Sequence, residues 1–162
     1  SRLQGKILLQ VEENGEAWYV HPLTDERHYM GRPTDAFNLM KNLGLGISDA
    51  DIKKIDIAEA SFTGTDSDND GLSELLEDAI GTAKNKIDDD DDGFNDKAEL
   101  LDNFDPTGAG NISTYDNFAK SQSGRILIQA EQHGEAWYVN PDDHKRYFLG
   151  RPTDAFNIMR QT

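Results

Sequence analysis

The hydrophobic pattern near the start of the chain changes period twice. Ile7-Leu8-Leu9-Gln10-Val11 is a short apolar run that reads as a strand, and it stops at Asn14-Gly15, a pair that favours a tight hairpin turn. Glu16 to Val20 reads as a second strand. Alternation puts Trp18 and Val20 on one face and Ala17 and Tyr19 on the other, both expected to be partly buried. A turn over Pro22 to Glu26 leads into a short third strand from Arg27 to Met30. The period then becomes helical. Gly31-Arg32-Pro33-Thr34 opens a helix capped at Thr34 or Asp35, with Ala36, Phe37, Leu39 and Met40 as its apolar face. Gly44 ends it. Ser48 with Asp51 predicts a second capped helix running to about Ile55.

This β-β-β-α pattern occurs twice. Residues 5–40 align without a gap on residues 124–159 at an offset of 119, sharing the words GEAWYV and GRPTDAFN. Three strands and a helix bury too little apolar surface to be stable alone. The two copies are therefore expected to pack together about a pseudo-twofold axis, with the intervening segment as a strap across them. The predicted fold class is α+β: two duplicated β-β-β-α units with a central EF-hand-like insert of loops and short helices. The predicted divisions are 1–57, 58–110 and 111–162.

The central segment differs sharply from its flanks. Between Phe62 and Pro106 fifteen acidic residues face three lysines, which accounts for twelve of the chain's fifteen net negative charges. A disordered acidic tract would be poorer in apolar residues than this stretch, which carries Leu72, Leu75, Leu76, Ile80, Phe94, Leu100, Leu101 and Phe104 at helix-like intervals. Its field repels nucleic acid and attracts cations.

The acids have an order that composition does not require. Asp66-Ser67-Asp68-Asn69-Asp70-Gly71-Leu72-Ser73-Glu74-Leu75-Leu76-Glu77 matches D-x-D/N-x-D/N-G-x5-E at every fixed position, and Asp88 to Glu99 matches it again. Calcium takes about six to eight oxygens at roughly 2.3–2.6 Å. Carboxylates at positions 1, 3 and 5 (Asp66, Asp68, Asp70; Asp88, Asp90, Asp92) converge when the chain wraps the ion. Gly71 and Gly93 permit the sharp turn at position 6. The carbonyls of Leu72 and Phe94 supply position 7. Position 9, Glu74 or Asp96, acts through water, and Glu77 and Glu99 reach back bidentately from the following helices, SELLEDAI and NDKAELLDNF. Asp89 and Asp91 fall between ligand positions and are expected to point outward. A donor set this large suits calcium better than magnesium, so two Ca2+ ions are expected.

The loops begin 22 residues apart, too close for the exit helix, linker and entry helix of a full EF-hand pair. With Gly81-Thr82 closing the first unit and Asp105-Pro106 the second, residues 64–108 resemble thrombospondin type-3-like and related EF-hand-like bacterial calcium-binding repeats. That resemblance implies an extracellular or cell-surface, calcium-dependent structural module, whose partners would be other domains of a larger surface protein, a cell-wall glycan or another protein.

Other features shift this picture little. There is no cysteine, so neither disulfides nor thiolate chemistry is available. No apolar run approaches the ~20 residues of a membrane span. No signal peptide is visible at Ser1, as expected of a mature or excised fragment. The histidines His21, His28, His133 and His144 do not coincide between the copies, and no H-E-x-x-H or serine–histidine pattern occurs; no enzyme is expected. Arg32 with Asp35, and Arg151 with Asp154, are expected to brace the strand-to-helix turn. Trp18 and Trp137 are expected in the core, with a glycan platform as the alternative that their exposure would favour. Calcium-dependent cleavage at Asp105-Pro106 is a third possibility.

Overall fold

A computed structural model of the 162-residue chain describes residues 2–12, 15–131 and 134–150. It is a mixed α+β molecule with two sheets. The first sheet contains β1 (Ile7–Gln10), β2 (Glu16–Val20) and β3 (Arg27–Tyr29), antiparallel in sequence order. The second contains β4 (Leu45–Ile47), β5 (Ile126–Gln129), β6 (Ala136–Val139) and β7 (Arg146–Phe148). The registers of the two copies agree residue for residue. Leu8 faces Trp18 as Leu127 faces Trp137, and Tyr19 faces His28 as Tyr138 faces Tyr147.

Helix α1 (Pro33–Leu43) has its N-cap at Arg32, two residues before Thr34 and three before Asp35, the caps expected from the sequence. Pro33 is suited to the first turn because its φ is already helical and it has no amide to satisfy. Asp35 then lies three residues inside the helix, where its carboxylate accepts the Arg32 amide (3.1 Å) and pairs with the Arg32 guanidinium (3.4 Å). The expected brace therefore forms. Its counterpart at Arg151 and Asp154, with the second copy's helix, lies outside the described residues. Gly44 caps α1.

Helix α2 (Asp49–Ile52) is shorter than expected, although Ser48 caps it by accepting the Asp51 amide (3.1 Å). A 3-10 turn at Glu59–Phe62 follows, then α3 (Glu74–Ile80), α4 (Asp96–Asp102) and α5 (Asp116–Ser121).

The two copies meet at a pair of glycines. The Tyr19 hydroxyl donates to the Gly124 carbonyl and the Tyr138 hydroxyl donates to the Gly5 carbonyl, each at 2.7 Å. Gly5 and Gly124 are so close that a Cβ on Gly124 would lie 2.2 Å from the Gly5 Cα. Around this contact Ala17, Tyr19, Met30, Leu39 and Met40 of the first copy share one core with Ile126, Ala136, Tyr138 and Leu149 of the second.

A second core forms on the opposite face of β5–β7. There Leu127, Trp137, Val139 and Phe148 pack against Ile52, Ile55, Ile57, Phe62, Leu72, Leu76 and Leu100. The acidic segment thus lies on one sheet, that of the second copy, rather than bridging both as a strap. Strand β4 seals the arrangement by pairing in parallel with β5, Leu45 opposite Leu127 and Ile47 opposite Gln129.

Candidate metal centres

Each aspartate-rich loop is shaped by hydrogen bonds from its own backbone. In the first, Asp66 accepts the Asn69 amide (2.7 Å) and the Gly71 amide (3.0 Å). Asp68 accepts from Asp70 (3.2 Å) and Asp70 from Leu72 (2.6 Å). The second repeats the pattern: Asp88 accepts from Asp92 (3.3 Å) and Gly93 (2.8 Å), Asp90 from Asp92 (3.2 Å), and Asp92 from Phe94 (2.9 Å). The backbone twist is shared too. Asn69 and Asp91 at position 4 have φ of 63° and 61°, and Gly71 and Gly93 at position 6 have φ of 94° and 98°. The left-handed turn at position 6 is why glycine stands there.

These turns bring Asp66, Asp68 and Asp70 together with oxygens within 4.8 Å of one another, and Asp88, Asp90 and Asp92 likewise. Each triad could hold a metal ion. The amides engage both oxygens of Asp66 and of Asp88 but only one oxygen each of Asp68, Asp70, Asp90 and Asp92. Among the described residues, Asp68 Oδ2 and Asp70 Oδ2 are buried with no hydrogen-bond partner. So are both oxygens of Glu77, a residue that is 0 % exposed, and Glu99 Oε2. A buried carboxylate without a partner is costly, and a bound cation would offset that cost; the groups whose oxygens lie within 4.8 Å of one another are the two aspartate triads and do not include Glu77 or Glu99.

The electrostatics agree. Burial pushes the Glu77 carboxyl up to about 7, and the charges of Asp70, Asp68 and Asp66 add to the effect. Burial does the same to Glu99, also to about 7, with Asp92 and Asp90 as the next causes. Both position-12 glutamates therefore feel their own triad. Asp96, at position 9 of the second loop, is raised to about 6 by burial, while the Asp89 amide it accepts (2.8 Å) opposes the shift. Its counterpart Glu74 accepts from the Ser67 hydroxyl instead.

The position-7 residues diverge. Leu72 is fully buried in the core beneath its loop, whereas the Phe94 side chain is 65 % exposed. Asp89 and Asp91 stand aside from the second triad: Asp89 accepts the Ala83 amide (3.2 Å) and Asp91 pairs with Lys86 (2.9 Å). The link between the loops was not legible in the sequence. Asn95 caps α4 by accepting the Lys97 amide (2.9 Å) and with its amide group donates to the Asp70 carbonyl (3.2 Å), tying one loop to the next. Asparagine at a helix start was a signal for the cap but not for the second bond.

The remaining candidates separate. Trp137 is 0 % exposed and its indole donates to Gln129 (2.6 Å), whereas Trp18 is only half-buried. Burial alone would raise the Asp105 carboxyl, but hydrogen bonds from Thr107 and the Lys53 ammonium, 3.4 Å away, together outweigh it and draw the group below the usual carboxylate range. No helix among the described residues is long and apolar enough to cross a membrane. Against models of protein families, curated proteins and solved structures alike, the chain finds no match.

Proposed function

We propose that the chain is a calcium-binding structural module of a secreted or cell-surface protein, rigidified by two calcium ions and without enzymatic activity. The observation that carries this reading is the set of buried, unpartnered carboxylate oxygens on Asp68, Asp70, Glu77 and Glu99 beside two aspartate triads of matching backbone shape. Asp66, Asp68, Asp70, the Leu72 carbonyl and Glu77 would hold one ion. Asp88, Asp90, Asp92, the Phe94 carbonyl and Glu99 would hold the other. All donors are oxygen and each loop offers at least five, a set that suits calcium. The thrombospondin type-3-like resemblance supports the extracellular assignment.

In this reading the two β-β-β-α copies form a pseudo-twofold pair, supported by the reciprocal tyrosine–glycine bonds, and the calcium insert is built onto the second copy. At micromolar affinity and millimolar calcium each ion would contribute roughly 4 kcal/mol. Two such contributions are comparable with the whole stability of a small domain. Calorimetric titration of the chelated chain should give two calcium ions per chain with a large coupled folding signal. A stoichiometry of zero, or a melting temperature unchanged by EDTA, would end the proposal.

A second reading, a calcium-shaped surface that binds a cell-wall glycan or a protein partner, has one observation in its favour. The half-buried Trp18 and exposed Tyr29 pack with ring centroids 5.1 Å apart and tilted by 55° on one face of the first sheet, and Arg27 lies 5.1 Å from the Trp18 ring. Glycan pull-down with and without calcium separates the two.

A further inference from the structure

The two copies carry nearly the same residues but bury them differently, and the difference falls on one face. In the second copy Leu127, Gln129, Trp137, Arg146 and Phe148 are all buried. The positions 119 residues earlier are Leu8, Gln10, Trp18, Arg27 and Tyr29. Here Leu8 and Trp18 are half-buried and Gln10, Arg27 and Tyr29 are exposed.

The internal geometry of the face is nonetheless preserved. The Trp18 indole donates to Gln10 (3.3 Å) as the Trp137 indole donates to Gln129 (2.6 Å). Arg27 lies 5.1 Å from the Trp18 ring as Arg146 lies 4.6 Å from the Trp137 ring. The rings of Trp18 and Tyr29 are 5.1 Å apart and tilted by 55°, and those of Trp137 and Phe148 are 4.9 Å apart and tilted by 53°.

What covers the second copy is visible within the chain. Strand β4 pairs with the edge of β5, and Ile52, Ile55, Ile57 and Phe62 follow it onto the face. The cover also meets the polar groups. Asp49 accepts from the Gln129 amide (3.0 Å), and the charge of Asp56 favours the cationic form of the desolvated Arg146. On the first copy β1 occupies the end of its sheet, and among the described residues no strand pairs with its outer edge.

We infer that the Leu8–Gln10–Trp18–Arg27–Tyr29 face of the first sheet, with the open edge of β1, is a docking surface for a segment of the same chemistry as residues 44–62. That segment is an apolar-glycine-apolar strand followed by isoleucines, with carboxylates at the places of Asp49 and Asp56. The strand adds in parallel to β1, satisfying its outward amides and carbonyls. The isoleucines cover Leu8 and the Trp18–Tyr29 pair, and the two carboxylates meet Gln10 and Arg27. The charge complementarity fits: Arg27 stands exposed on the sheet, and its twin Arg146 is buried beside an aspartate. The inference does not depend on which metal fills the loops.

The test extends the chain. Thr162 aligns with Leu43, so a second copy of residues 44–119 joined after Thr162 restores the spacing found after the first copy and holds the segment at high local concentration. Acrylamide quenching is then compared with that of the unextended chain, with a Trp18→Phe variant of each isolating the Trp137 signal. Docking predicts a severalfold fall in Trp18 quenching and none at Trp137. An extension whose counterparts of Ile47, Ile52 and Ile55 are aspartate should leave Trp18 as quenchable as before. Equal quenching of Trp18 in extended and unextended chains would overturn the inference, as would equal protection by the aspartate extension. Should the extended chain not fold, a synthetic 44–62 peptide is titrated into the unmodified chain and amide exchange is followed. Slowed exchange along β1 supports the docking. Unchanged β1 exchange at saturating peptide, or a peptide that only displaces β4 from β5, overturns it. Trp18 protection that rises with the concentration of the unmodified chain alone would show self-pairing and overturn the choice of occupant.

Discussion

At the scale of the residue, the two loops turn on where a few atoms are placed. Glu77 contributes two buried oxygens that no hydrogen-bond donor among the described residues satisfies. Glu77→Gln removes the charge and one of the two oxygens that could bind an ion bidentately, while nearly preserving shape. Calcium affinity at the first site should fall at least about tenfold, or ~1.4 kcal/mol, with the second site retained. Two-site calorimetry reads this directly. If both sites keep their affinity, Glu77 is no ligand. The same exchange should make the metal-free chain more stable, because it relieves a buried group whose charge is opposed by Asp66, Asp68 and Asp70. A variant that binds calcium worse yet melts higher in EDTA is difficult to explain by any purely structural role for the side chain.

Among elements, the contact between the copies is the tightest point. Gly124→Ala would drive a Cβ to 2.2 Å from the Gly5 Cα, and the obstacle is backbone, which cannot swing away. Gly124 also has φ of 74°, in the left-handed region that side chains rarely adopt. The substitution should cost about 3 kcal/mol or more and lower the melting temperature accordingly. Gly108→Ala, with nothing within 4 Å of its added Cβ, should cost well under that. Tyr138→Phe is milder: it removes the donor to the Gly5 carbonyl and should destabilise by about 1–2 kcal/mol, measured by chemical denaturation. Much of this level was readable from periodicity. β2 matches its expected span, and β1, β3, α3 and α4 fall within a few residues of theirs. β4 was not, because Leu45-Gly46-Ile47 is three residues long with a poor strand former in the middle. Its pairing with β5 is fixed by a partner more than eighty residues away, which no local window contains.

For the whole molecule, the acids set how stability depends on pH, and a bound calcium ion should invert that dependence. Glu77 and Glu99 rise from an ordinary 4.5 to about 7 in the folded, metal-free chain. The folded state then binds protons more tightly than the unfolded state. Stability of the chelated protein should therefore increase as pH falls from about 7 toward 4.5, and decrease as pH rises through that window. With calcium bound the carboxylates must be anions, so acidification should instead weaken binding and lower stability. Thermal melts at about pH 5 and about pH 8, with EDTA and with calcium, should show opposite trends. A parallel trend in both conditions would mean the two glutamates do not face the ion.

The sequence by itself determined the loops, since their geometry is set within twelve residues by turns, glycines and Asx-type hydrogen bonds whose partners are neighbours in the chain. It determined the duplication and the succession of short strands and turns within each copy for the same reason. Only the tertiary structure decided the fate of the shared word GEAWYV. Identical residues became a sealed Trp137 in one copy and a half-open Trp18 in the other. Burial belongs to whatever packs on a face, and here, among the described residues, the insert's apolar side chains pack on the Trp137 face of the second sheet and not on the Trp18 face of the first.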